Sequence, residues 1–130
     1  MKVMVAVDGS RCSDAAVDSI IRKMPPDSTE VRVLHVVEKT PQSESLSHGR
    51  EVAGQSERSL RTAGFKVDAV VEEGDPKVVI VDSAERWNAD LIVVGCHGRN
   101  SLHRLLLGSV AESVARHSGC SVEIVRSSRV

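Results

Sequence analysis

Residues 90–117, DLIVVGCHGRNSLHRLLLGSVAESVARH, carry the reading from which the fold follows. Leu91-Ile92-Val93-Val94 is a short continuous apolar run, the pattern of a strand buried on both faces. Gly95-Cys96-His97-Gly98 turns the chain, and Ser109 to His117 reads as a helix with Gly119 just past its end. A doubly buried strand that feeds a helix is half of a βαβ unit. A chain of such units builds a parallel sheet covered by helices on each side.

The same alternation extends in both directions from this stretch. Val3 to Val7 predicts a first strand closed by Asp8-Gly9-Ser10, and Ala16, Val17, Ile20, Ile21 and Met24 predict a helix from Ser10 that Pro25-Pro26 ends. Val31 to Val37 is the second strand. A weaker helix from Glu44 to Ala63 carries Leu46, Val52, Ala53 and Leu60, with Gly49 and Gly54 counting against it and Gly64 ending it. The polar, serine-rich stretch 38–49 before it reads as a surface loop. Phe65 to Val71 is the third strand. Gly74-Asp75-Pro76 then supplies an N-cap with proline at the first helical position, and Ile80, Ala84 and Trp87 mark one face of the helix that follows. Ser121 to Val125 is the fifth strand. The expected architecture is an α/β fold, a three-layer open parallel five-stranded sheet of order 3-2-1-4-5, forming a single domain over residues 1–130.

Composition narrows the functional classes. Lys plus Arg (17) nearly balances Asp plus Glu (18), so no net field favours nucleic acid or an anionic membrane. Phe65 and Trp87 are the only aromatic residues, which removes the stacking platforms of single-strand binders. Cys12, Cys96 and Cys120 are odd in number and lack CxxC spacing, which fits a reducing compartment and a cytoplasmic location. No apolar run approaches membrane-spanning length.

Ligands of open parallel sheets bind beyond the carboxyl ends of the strands, where the strand order reverses. In the order 3-2-1-4-5 that reversal brings together Asp8-Gly9-Ser10 after strand one and Gly95-Cys96-His97-Gly98 after strand four. Gly98 is followed by Gly108-Ser109 at the start of a helix, whose free N–H groups and positive dipole end attract anions. Glycines also let a backbone approach a phosphate chain, although turns need glycine for their own reasons.

These residues resemble a known family. The pattern G-x2-G-x9-G-[ST] at Gly95, Gly98, Gly108 and Ser109, preceded by DLIVVG and followed by SVAESVARHSGCSVEIVR, is similar to the nucleotide-binding signature of the universal stress proteins. KVMVAVDGS, VLHVV and GDPKVVIVDSAERWNADLIVVG extend the resemblance over nearly the whole chain. It implies ATP, with Mg²⁺, as the ligand. Gly95, Gly98, Gly108 and Ser109 then hold phosphate, Asp8 lies on the nucleoside side, Val36 meets the adenine edge and Val110 lines the site. Cys96 and His97 stand where the family often has small or hydroxyl residues, and Ser121 replaces a common proline.

Each candidate has a plainer alternative. Asp8 is either a ligand contact or a turn residue capping the first helix. His97, Arg99, His103 and Arg104 surround the glycine loop as phosphate partners or as solvated surface groups, with Arg99 the one taken into the site. Cys96 is a redox-sensitive thiol or inert packing, the second being the commoner case. His35 and Trp87 read as core residues, and Asp75 as an N-cap. No Walker-type lysine, no second carboxylate beside Asp8 and no water-orienting residue is evident. The expected function is therefore regulatory nucleotide binding with at most slow hydrolysis and no assigned catalytic residue or metal ligand. The alternative is a nucleotide-free dimeric interaction module. Ser121 to Arg126 lies at a sheet edge, and both physics and the resemblance point to a homodimer through it, alongside a protein partner the sequence does not name.

Overall fold

The computed structural model describes residues 1–39, 45–97 and 107–127. Strands and helices alternate along it as β1 (Lys2–Ala6), α1 (Arg11–Lys23), β2 (Glu30–Val37), α2 (Leu46–Thr62), β3 (Lys66–Glu73), α3 (Pro76–Trp87), β4 (Leu91–Gly95), α4 (Ser109–His117) and β5 (Ser121–Val125). A short 3-10 turn, Pro26–Ser28, sits between α1 and β2. Every strand pairing is parallel, as the alternation of apolar runs and helical periods predicts, and the order is the expected β3-β2-β1-β4-β5.

Side chains of a strand alternate between faces, so the central strands feed two cores. Val3, Val5, Val31, Val33 and Val93 pack with Ala16, Val17 and Ile20 of α1 and Ala53 and Leu60 of α2. Met4, Leu34, Ile92 and Val94 pack on the other face with Ile80, Ala84 and Trp87 of α3 and Ala111 and Val114 of α4. With both faces covered, the strands carry apolar residues at nearly every position, which is why they read as continuous runs.

The helix ends obey local chemistry. Met24 closes α1 in an extended conformation (φ −101°, ψ 141°), the region a residue before proline prefers. Asp75 caps α3 by accepting from the Lys77 N–H at 3.0 Å, with Pro76 at the first helical position. Stretch 38–49 is not loop throughout, because α2 already begins at Leu46. Gly49, counted against that helix, serves it: a Cβ there would lie 3.0 Å from His35 Cδ2 and 3.1 Å from Val37 Cγ2, so the glycine lets α2 pass close over β2. β3 runs two residues beyond the expected Val71, since its pairing with β2 continues through Val36↔Glu72 and Val37↔Glu73.

β5 forms one edge of the sheet. The Cys96 N–H donates to the Val125 carbonyl at 2.9 Å, so the polar groups of Val125 and, by alternation, Glu123 face β4. Those of Val122 and Ile124 therefore face outward. At the opposite, N-terminal end of the strands Trp87 is buried beneath two cations, with Lys2 Nζ 5.3 Å and Arg32 Cζ 4.9 Å from its ring, and Arg32 also grips Asp68 of β3 at 2.8 and 3.0 Å. Among the described residues, no helix is long and apolar enough to cross a membrane.

Candidate functional site

Strand order reverses between β1 and β4, and a turn follows each of them at the carboxyl end of the sheet. After β1, Asp8 Oδ1 accepts the Ser10 N–H at 2.9 Å, folding the chain through Gly9 at φ +83°. Ser10 then caps α1, its Oγ accepting from the Ser13 N–H at 3.2 Å. Ser13 Oγ returns a bond to the Ser10 carbonyl at 3.0 Å and accepts the Asp8 N–H at 3.3 Å. The helix cap is thus Ser10, and Asp8 shapes the turn ahead of it. This places the half-buried Asp8 just past the carboxyl end of β1, beside the point where the strand order reverses. A second carboxylate, not anticipated from the sequence, lies within its electrostatic reach. Asp14, one turn into α1, has its carboxyl pushed up by burial and then by repulsion from Asp8.

The turn after β4 is built from backbone. A Cβ on Gly95 would lie 2.6 Å from the carbonyl carbon of Cys12 and 2.7 Å from its oxygen, so only glycine lets the first turn of α1 rest on β4. Cys96 follows, and its carbonyl accepts the Gly108 N–H at 2.7 Å. A Cβ on Gly108 would fall 2.8 Å from that same carbonyl oxygen. Through these contacts the β1 turn, the start of α1, the β4 turn and the start of α4 touch in sequence around one crevice.

Gly108 stands at the N-cap of α4 without a side-chain cap, and the ladder begins only with the Glu112 N–H on the Gly108 carbonyl at 2.9 Å. The N–H groups of Ser109, Val110 and Ala111 accordingly have no partner within the helix. Ser109 is exposed and Val110 half-buried, while the first-turn carboxylate of Glu112 turns away to Arg116 at 3.2 Å. Such an end accepts an anion. Val36, half-buried on β2, packs against the layer under α3 and α4. Gly98, Arg99, His103 and Arg104 lie outside the described residues.

Other singled-out residues divide clearly. His35 is 1% exposed and its Nδ1 donates to the Val7 carbonyl at 2.8 Å, the core role expected of it. Cys96 is buried, and its sulfur lies 3.7 Å from that of Cys12, a proximity the sequence reading did not draw. Burial, and then the contact with Cys12, pushes the Cys96 thiol up. Among the described residues no group of three or more His, Cys, Asp or Glu side chains could hold a metal ion. A groove of about 660 Å³ opens between α1 and α2, but helical residues such as Asp14, Asp18, Gln55 and Arg58 line it and no strand end reaches it.

Residues 1–126 match the universal stress protein family. The chain belongs to that family. A universal stress protein of Methanocaldococcus jannaschii is 33% identical, with 96% of this chain and 81% of that protein covered. Among solved structures, a universal stress protein in complex with cAMP shares 28% identity at a TM-score of 0.79, with 98% of each chain covered. UspA from Lactobacillus plantarum shares 25% identity at a TM-score of 0.85, with 97% of each chain covered. In this universal stress protein the resemblance read from the glycine pattern therefore extends through the sheet order and the helix layers.

Proposed function

We propose that this universal stress protein is a cytoplasmic, ATP-binding regulator of the stress response that holds its nucleotide, with Mg²⁺, at the β1–β4 crevice and pairs with a second copy through β5. The observation that carries the reading is the start of α4: an uncapped helix end, anchored by the Gly108 N–H on the Cys96 carbonyl, with the exposed Ser109 first in line. Phosphate fits a helix end of this kind. Gly95 and Gly108 fix the shape of the crevice, Ser109 and the Val110 N–H meet phosphate, Asp8 faces the nucleoside side and Val36 the adenine edge. Gly98 and Arg99 join the phosphate site on the sequence pattern alone. A relative that binds cAMP at 28% identity supports an adenine nucleotide as the ligand class.

One observation favours the second reading, a nucleotide-free interaction module. Gly95 and Gly108 are each required by packing against Cys12 and Cys96, so the glycine pattern would persist without any ligand.

Ser109→Glu separates the two. A carboxylate in the first turn suits the helix dipole, so the unliganded variant melts at or above the temperature of the parent, while the added charge repels phosphate. For the parent, ATP–Mg²⁺ at a hundred times its dissociation constant stabilises by about 2.7 kcal/mol, read as a rise in melting temperature that Ser109→Glu abolishes. No rise in the parent at millimolar ATP, ADP or cAMP overturns the nucleotide reading and favours the nucleotide-free module instead.

The β5 pairing has its own test. Because the Ile124 N–H faces outward, Ile124→Pro removes an edge donor and leaves the β4 ladder intact. Light scattering should give a dimer for the parent and a monomer for the folded variant. A monomeric parent at micromolar concentration rules the interface out.

A further inference from the structure

We propose that Cys12 and Cys96 form an oxidisable pair whose disulfide fastens the first turn of α1 to the turn after β4. The two sulfurs lie 3.7 Å apart, and both thiols are free. A disulfide needs about 2.05 Å, a closure of about 1.7 Å that side-chain rotation can supply when the backbones already touch. They do touch: with a Cβ on Gly95 falling 2.6 Å from Cys12 Cβ, the glycine holds the two cysteine-bearing segments in contact. The backbone of Cys96 is fixed on both sides, its N–H on the Val125 carbonyl and its carbonyl on the Gly108 N–H, so Cys12 and its helix turn make the adjustment.

The chemistry is thiol–disulfide exchange with a low-molecular-weight disulfide. Cys12, 9% exposed against 5% for Cys96, is the entry point. Its thiolate attacks the small disulfide, forming a mixed disulfide and releasing one small thiol. Cys96, deprotonated, then attacks the Cys12 sulfur, forming the protein disulfide and releasing the second thiol. Two protein thiols are oxidised and one small disulfide is reduced to two thiols, which carry the two protons. Burial that pushes the Cys96 thiol up makes the second step slow near neutral pH and faster as pH rises. Cys120 has no part in it, since it precedes β5 while Cys96 follows the parallel β4, which puts them at opposite ends of the sheet. The proposal stands independently of the nucleotide reading.

The test incubates the whole protein with oxidised glutathione, traps remaining thiols with a maleimide and maps the peptides. In the expected product Cys12 and Cys96 are cross-linked, that peptide pair being about 2 Da lighter than its two free thiols, only the half-buried Cys120 carries maleimide or glutathione, and dithiothreitol reverses the cross-link. Its melting temperature is higher than that of the reduced form, because the cross-link closes a long loop in the unfolded chain. Cys120→Ser gives the same cross-link, and Cys12→Ala gives none. Alkylation of both Cys12 and Cys96 after oxidation, or a cross-link through Cys120, overturns the proposal in the unsubstituted protein, whatever the stability of the variants.

Discussion

The two turns that flank the crevice reach similar definition by opposite means. After β1 the chain is shaped by side chains, with Asp8, Ser10 and Ser13 exchanging bonds of 2.9 to 3.3 Å with the backbone around Gly9. After β4 it is shaped by the absence of side chains, with Gly95 and Gly108 admitting the Cys12 backbone and the Cys96 carbonyl to distances no Cβ tolerates. A turn held by hydrogen bonds loses one increment when one partner is removed. A turn held by close approach has no partial version, because the intruding methyl must displace a helix.

The sharpest way to break that contrast is to compare Gly95→Ala with Ser10→Ala. Gly95→Ala should cost the more, about 3 kcal/mol, since the clash is with backbone that cannot rotate away. Ser10→Ala removes a helix cap and should cost about 1 kcal/mol. Denaturant unfolding measures both, and equal costs would show that the β4 turn yields as easily as its partner.

A smaller effect sharpens the account of the side-chain turn. Asp14 stands in the first turn of α1, where the helix end attracts a carboxylate, yet its net shift is upward, so burial and Asp8 outweigh that attraction. A carboxyl raised in the folded state favours folding when protonated, and this contribution is lost as pH rises from the usual value of 3.8 through the folded one. Asp14→Asn should therefore be slightly more stable than the parent at neutral pH, with the difference vanishing below that usual value. Melting curves across that range check it, and an advantage that grows on acidification would reverse the assignment.

The same contrast explains what the sequence disclosed. Polar turn chemistry is local, so Asp8-Gly9-Ser10, the Asp75-Pro76 cap and the end of α1 at Pro25-Pro26 were all legible from neighbours in the chain. The parallel sheet covered by helices followed from doubly buried runs alternating with helical periods. Close approach is not local. Gly49 looked like a flaw in a helix until β2 lay beneath it, and Gly95 and Gly108 read as phosphate ligands or turn glycines, with no packing partner named, until Cys12 and Cys96 met them. The Cys12–Cys96 proximity was in principle available, since one residue follows the β1 turn, the other follows β4, and those strands are neighbours at the reversal. The pairing of Asp14 with Asp8 could have been found from helix periodicity beyond the turn.

Trp87 is the only tryptophan in a chain without tyrosine, and it is packed under Lys2 and Arg32 at the N-terminal end of the strands. The crevice opens at the carboxyl end, about five strand residues or roughly 17 Å away. The molecule therefore carries one intrinsic fluorophore, and it watches the wrong end for ligand binding and the right end for unfolding. Emission should change when the sheet comes apart and the two cations leave the indole, and stay flat while the crevice fills, so the protein's own light reports integrity of the fold separately from occupancy of the site.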